Sequence, residues 1–288
     1  YIMGENPMGS SPDIDEVAHG LKALDILVVQ DMFLSETAAL ADVVFPVASF
    51  AEKDGTFTNT ERRVQLIRPA VSPPGEARPD WQVVCELSTA LGYPMSYPST
   101  AAIMAEIASL VPSYAGMLHE RLGPSGLQWP CLDTNHPGTR FLYAETFPTP
   151  SGKATFSVVK QEDAGEDVVD DAYPLNLNTG RLLEHYHTGT MTRRSRGLDH
   201  MRPEGEVEVH PEDARRYGFI DGDRARIVTK RGAVEVKVKV TDKTPEGAIF
   251  YPFHFGEAPA KRLVGSKFDP ASHTPAYKRT AARLDRIN

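Results

Sequence analysis

Apolar positions recur at helical spacing early in the chain and alternate late in it. Ile14, Val17, Leu21 and Leu24 predict a helix over 13–24, with Asp13 after Pro12 as its N-cap. Ile26-Leu27-Val28-Val29 is a continuous apolar run, the pattern of a strand buried on both faces, and Val43-Val44-Phe45 is another. Ser35 caps a short helix over 36–41 between them. Strand, helix and strand in this order imply parallel pairing and an α/β layer. Pro69 to Pro79 reads as a connector, followed by helices over 81–91, closed by Gly92 and Pro94, and over 100–110. Residues 111–170 show little periodicity and read as an irregular linker with short elements.

From Tyr173 the pattern becomes β. Leu175 to Thr179 alternates, Glu206 to His210 is a strand, and Pro211 to Tyr217 is a short helix stopped by Gly218. Residues 225–229 and 234–240 pair across Lys230-Arg231-Gly232, with Val234, Val236, Val238 and Val240 on one face. Residues 248–255 and 280–287 add strands, so the second half is expected to close into a barrel. The opening Tyr1-Ile2-Met3-Gly4 reads as the end of a strand entering a turn, so the chain is expected to begin inside a domain, as a fragment or processed product.

Charge divides the same two regions. The 288 residues carry a net −8, but residues 1–169 hold −12 and residues 170–288 hold +4. An acidic chain of this kind argues against a nucleic-acid binder. With no long apolar run, no membrane insertion is expected. Two cysteines, Cys85 and Cys131, cannot build an all-cysteine iron–sulfur cluster alone and read as small buried residues.

The densest chemistry lies at 179–194, TGRLLEHYHTGTMTRR, which follows a strand. Arginines bind phosphate bidentately, threonine hydroxyls and free N–H groups meet phosphate or carbonyl oxygens, and glycines allow close approach. A loop clasping a large polar anion has this content. His185 and His187 stand two apart with no third metal ligand nearby, which favours hydrogen bonding to a ligand over metal ligation. Asp31, after Gln30 at a strand end, either accepts hydrogen bonds from a guanine edge or caps a helix. Lys53 and Asp80 are undistinguished by pattern alone. No Ser-His-Asp spacing, P-loop or GxGxxG is present, so the residues describe a binding platform with no evident nucleophile or metal site.

The 179–194 string resembles the pterin-contacting loop of the molybdopterin oxidoreductases, the DMSO reductase family. HPEDARRYGFIDGDRARIVTKRG, beginning at His210, is similar to the opening of their dinucleotide-binding barrel. MGENP, TFTNTERR and PFHFGEA most resemble the large subunit of formate dehydrogenases, with periplasmic-type nitrate reductases as the close competitor and a cofactor-free structural subunit of a respiratory complex as a further alternative. The resemblance implies an α/β segment with a partial parallel sheet over 1–68, a connector with helices over 69–169 and a double-psi-type β-barrel over 170–288. It implies a bis-molybdopterin guanine dinucleotide carrying molybdenum or tungsten. Contacts carried over are Asn6, Gln30, Asp31, Lys53, Asp80, Thr179, Gly180, Arg181, His185, His187, Thr188, Phe253 and Lys278. Lys261 is carried over as a contact as well, although it stands where the family usually has Asn, and Thr280 stands where related tails often have Cys. Catalytic residues, the metal ligand and iron–sulfur cysteines are expected upstream of this chain, which is therefore expected to be inactive alone. The implied setting is cytoplasmic, with the rest of the large subunit, electron-transfer subunits and formate as partners.

Overall fold

The computed structural model describes residues 1–158, 167–265, 268–269 and 272–287. The stretch 159–166 of the expected linker lies outside them. The chain divides into two compact units, Tyr1–Val44 with Gln161–Asn288, and Phe45–Lys160.

In the first unit, β1 (Ile2–Met3) pairs in parallel with β2 (Val28–Asp31), Ile2 opposite Val29 and Met3 opposite Gln30. The short helix α1 (Pro7–Ser10) and α2 (Ile14–Lys22) link them. Asp13 does cap α2, its carboxylate accepting the Glu16 N–H at 3.4 Å. β3 (Val43–Pro46) completes the sheet on the other side of β2. Leu27, Val29 and Ala38 are buried between these elements. Two expectations need correction. Ile26 and Val43 are exposed, so neither run is buried along its length. The helix after Ser35 is a single 3₁₀ turn over Ala38–Leu40, started by Ala38 N–H donating to Ser35 Oγ at 3.3 Å.

The remainder of this unit is a closed barrel of β7 (Leu175–Gly180), β8 (Glu206–Val209), β9 (Arg224–Thr229), β10 (Ala233–Val240), β11 (Ala248–Pro252) and β12 (Thr280–Arg286), in the order β10-β8-β11-β7-β12-β9. Two pairings, β10 with β8 and β11 with β7, are parallel; the others are antiparallel. Alternation dictates the interior. Val234, Val236 and Val238 are buried with Leu175, Leu177, Val207, Val209, Ile227, Ile249, Tyr251 and Leu284. Outside, Glu235 meets its register partner Arg226 at 2.6 Å and Lys237 meets Glu206 at 3.3 Å, so opposite charges stand across adjacent strands. A helix over Pro211–Tyr217 ends at Gly218, whose φ of 74° few other residues adopt cheaply.

The second unit holds a three-stranded sheet, β4 (Gly55–Thr58), β5 (Arg63–Ile67) and β6 (Leu127–Gln128), and helices Asp80–Ala90, Thr100–Leu110 and His119–Leu122, with Val64 of β5 buried together with Met104 and Leu122. Both longer helices agree with the expected spans to a residue. The expected boundary at 68 falls just after β5, which is paired to β6 through Arg63–Gln128 and Val64–Leu127. Much of the stretch read as irregular linker is ordered by two arginines. Arg62 donates to the carbonyls of Trp129, Thr139 and Arg140, and Arg121 to those of Gly116, Asp133 and His136. Backbone tied to side chains in this way has no hydrophobic period to read. Cys85 and Cys131 are both buried.

Replacing Leu177 by alanine, which opens a hole in the barrel interior, is expected to cost about 2–5 kcal/mol. Leu183→Ala, at a fully exposed side chain, should stay within about 0.5 kcal/mol. Urea midpoints of the two variants check the difference.

Candidate functional site

The first unit holds a cleft of about 750 Å³. Its walls come from chain segments far apart in sequence: the turn after β1, the end of β2, the loop after β7, and side chains that follow β11 and precede β12.

Asn6 secures the first wall. It is 6% exposed; its Oδ1 accepts the Thr37 N–H at 3.2 Å and hydroxyl at 2.7 Å, and its Nδ2 donates to Glu36 at 2.8 Å. The turn after β1 is thereby fixed to the segment after β2. A Cβ on Gly9 would lie 2.9 Å from both Asn6 Nδ2 and Thr188 Cγ2, so only glycine lets the β7 loop come this close. At the end of β2 the half-buried Asp31 faces the cleft. Its Oδ1 accepts Met32 N–H at 2.6 Å, while Ser35 Oγ reaches Oδ2 only at 3.5 Å, the limit of a hydrogen bond. Gln30 points elsewhere: it is fully buried and accepts the Tyr1 hydroxyl.

The β7 loop is held by two buried histidines. His185 Nε2–H donates to Arg202 O at 2.8 Å, and its Nδ1 lies 3.2 Å from the Thr192 hydroxyl oxygen. His254, 1% exposed, spans the loop's two ends. Its Nδ1–H donates to His187 O at 2.5 Å and its Nε2 accepts Leu182 N–H at 2.8 Å. One donor and one acceptor require the neutral ring, and burial holds the His254 pKa below the usual histidine value, in the same direction. His187 itself sits at φ 47° and lines the cleft.

Asn6, Asp31, Arg181, His187, Thr188, Phe253, Lys261 and Lys278 therefore meet on one cleft. Thr179, Gly180 and His185 lie behind it. Thr179 is buried, with its hydroxyl on Tyr277 O at 2.7 Å. Gly180 makes room for the Phe250 ring, which a Cβ there would approach to 2.5 Å. Lys53 and Asp80 pair with each other in the second unit and do not line this cleft. Thr280, noted for its place in the tail, is buried in β12. Sequence reading passed over His254, although it stands in the motif PFHF, and Tyr277, whose hydroxyl donates to Ser10 O at 3.2 Å and ties the tail to α1. A histidine between two aromatics at a strand end was the available signal.

Three cations line the cleft, Arg181, Lys261 and Lys278, against the carboxylates of Glu5 and Asp31. Glu5 already accepts Asn6 N–H at 3.0 Å and Ser10 Oγ–H at 2.6 Å. Among the described residues none of the three cations has a carboxylate partner, and no group of three metal-ligating side chains converges. Phe33, Tyr186 and Phe253 add flat apolar surface. The arrangement suits an extended ligand with planar rings, hydrogen-bond donors for Asp31 and negative charge for the cations.

The family described as molybdopterin oxidoreductase matches residues 1–90, and the molydopterin dinucleotide binding domain matches 175–281. Every residue lining the cleft falls within one of these ranges. The chain is 47% identical over its whole length to the alpha subunit of F420-dependent formate dehydrogenase 1 from Methanococcus maripaludis, covering 43% of that protein. It is 37% identical to the catalytic subunit of an assimilatory nitrate reductase from Bacillus subtilis, over 99% of the chain and 41% of that protein. The chain thus spans less than half the length of these relatives. Acetylene hydratase from Pelobacter acetylenicus shares the fold, with a TM-score of 0.73 over 99% of the chain and 43% of that structure at 19% identity.

The neutral His254 clamp carries a pH signature. A histidine whose folded pKa lies below its unfolded value contributes stability fully above about pH 6.5 and loses it as pH falls below that. Denaturant unfolding should show stability declining with pH through this window. His254→Ala should remove that part of the decline and, by orphaning Leu182 N–H and His187 O, cost about 1–3 kcal/mol at pH 7.5.

Proposed function

Because the chain belongs to the molybdopterin oxidoreductase family, we propose that it is the cofactor-cradling C-terminal portion of a formate dehydrogenase large subunit. The observation that carries this reading is the cleft itself, in which a sheet-end carboxylate and carboxylate-free cations from the barrel share one wall system. The ligand it fits is a pterin guanine dinucleotide, one of two in a bis-molybdopterin guanine dinucleotide centre of molybdenum or tungsten. The 47% identity to a formate dehydrogenase subunit, against 37% to a nitrate reductase subunit, favours formate as the substrate.

The donor set fits that group. The Asp31 carboxylate accepts the paired N–H donors of a guanine edge, for which two acceptor oxygens in one plane are the natural partner. Arg181 and Lys278 meet the phosphates. Thr188 and Thr190, whose hydroxyls stand 2.8 Å apart, offer further polar contacts. Gly9 is the place where a side chain would push the two walls apart. When bound, the centre supplies the two-electron redox chemistry that takes formate to CO2; the protein supplies position and charge. Within this chain no residue is assigned to bond making or breaking. The metal ligand and the iron–sulfur cysteines belong to other parts of the enzyme in this proposal, and electrons leave through partner subunits. Among the described residues no helix is long and apolar enough to cross a membrane.

The test uses the full-length protein. Arg181→Ala and Asp31→Ala should each lower the guanine nucleotide released by acid hydrolysis, and the bound molybdenum or tungsten, by about tenfold at matched concentration. Dye reduction driven by formate should fall in proportion. Wild-type protein that releases no nucleotide would return the chain to the cofactor-free scaffold reading. Nucleotide together with turnover of nitrate and none of formate would move it to the nitrate reductases.

A further inference from the structure

Lys261 is the least ordinary residue of the cleft. It belongs to a short 3₁₀ turn over Ala260–Arg262 and is 7% exposed, a burial that lysine seldom reaches without a partner. Its ammonium lies 3.2 Å from the centre of the Tyr277 ring and 5.0 Å from that of Phe253, so aromatic faces replace most of its water. Among the described residues no carboxylate pairs with it. The nearby carboxylates are engaged elsewhere: Asp13 accepts Glu16 N–H, Asp15 pairs with Arg262, Glu36 holds Asn6, and Glu257 pairs with Arg193. The charge that acts on Lys261 most directly is a second cation, Lys278.

We propose that Lys261 makes the capture of a phosphate-bearing ligand by this cleft proton-linked, its amine taking one proton from solvent as the phosphate settles beside it. A buried amine facing another cation loses its proton more easily than a solvated one, and burial, with Lys278 adding to it, brings Lys261 down to about 8. A phosphate between the two lysines reverses the sign of the local field, so the ammonium form becomes the stable one. The neutral amine binds the proton, no other bond changes, and the ligand stays held by two charge-assisted contacts. Tyr277 has its own pKa pushed up by burial and remains a neutral seat through this range. The other charged or titratable side chains on the same cleft are Arg181, Glu5, Asp31, Tyr186 and His187.

This inference rests on the nucleotide reading above but adds a titrating group to it. Isothermal titration of the full-length protein, freed of bound nucleotide, with guanosine diphosphate in buffers of different ionisation enthalpy provides the readout. At pH 8 the wild type should take up about half a proton on binding and at pH 6.5 almost none from this group. Lys261→Met keeps the stem on Tyr277 and should abolish the uptake at pH 8 while weakening guanosine diphosphate about tenfold; guanosine, lacking phosphate, should bind both proteins alike. Inorganic pyrophosphate run in parallel shows whether the phosphates suffice without the nucleoside. Wild type that binds neither probe defeats the nucleotide reading and this subsite together. Wild type that binds guanosine diphosphate with no proton uptake at pH 8, or a Met variant with unchanged affinity and uptake, defeats the subsite alone. Because the first of these measurements needs no variant, poor folding of Lys261→Met leaves the proposal open to refutation.

Discussion

The cleft depends on one buried ring. His254 receives the N–H of Leu182 and gives its own proton to the carbonyl of His187, so a single side chain from the end of a barrel strand closes the loop that carries Arg181. Without it both backbone groups would lose the partner that the barrel supplies. The loop's own sequence is too polar to bury itself, so its shape has to be imposed from the barrel. His185 performs the matching task on the loop's outer side, with Arg202 O and the Thr192 hydroxyl as partners. Both rings act as spacers between backbone segments. Of the three histidines, His187 alone lines the cleft.

A second constraint is closeness. The cleft forms only where the turn after β1 and the loop after β7 approach within van der Waals distance, and Gly9 sits at the contact between Asn6 and Thr188. Asn6 spends its whole amide on Glu36 and Thr37, which stiffens the turn against that contact. Polar residues that read as ligand contacts are therefore of two kinds. Some, such as Asn6, face the cleft while holding it open; others, such as Arg181 and Lys261, have charge left over for a guest.

Much of the fold was legible because it is periodic. The valine ladder of β10, the capped helix α2 and the proline-to-glycine helix at 211–217 follow local rules that no tertiary contact overrides. The order of strands around the barrel was not legible, since pairing β8 with β10 in parallel depends on non-local contacts that carry no sequence period. The exposure of Ile26 and Val43 was missed because an apolar run shows composition and not the neighbours that cover it. What orders residues 111–140 was not legible for the reverse reason: Arg62 and Arg121 organise that backbone through carbonyls, and a lone arginine gives no hint of which carbonyls it will find. In the site, residue type located the loop, but it could not divide Thr179, Gly180 and His185, which support the loop, from His187 and Thr188, which line the cleft.

The charge pattern acquires a physical meaning in this geometry. The first unit brings an acidic segment and the basic barrel together around the cleft, and within it the carboxylates of Glu5 and Asp31 face cations drawn from the barrel's loop and tail. Glu5 accepts both of its hydrogen bonds within its own turn, and Asp31 accepts Met32 N–H beside it. The cations are neither paired off nor fully solvated. Lys261 is the extreme case, because a desolvated ammonium raises the free energy of the folded chain until an anion offsets it. A site built this way keeps cations that, among the described residues, have no carboxylate partner, and the hydrophobic interior of the barrel carries the cost of doing so.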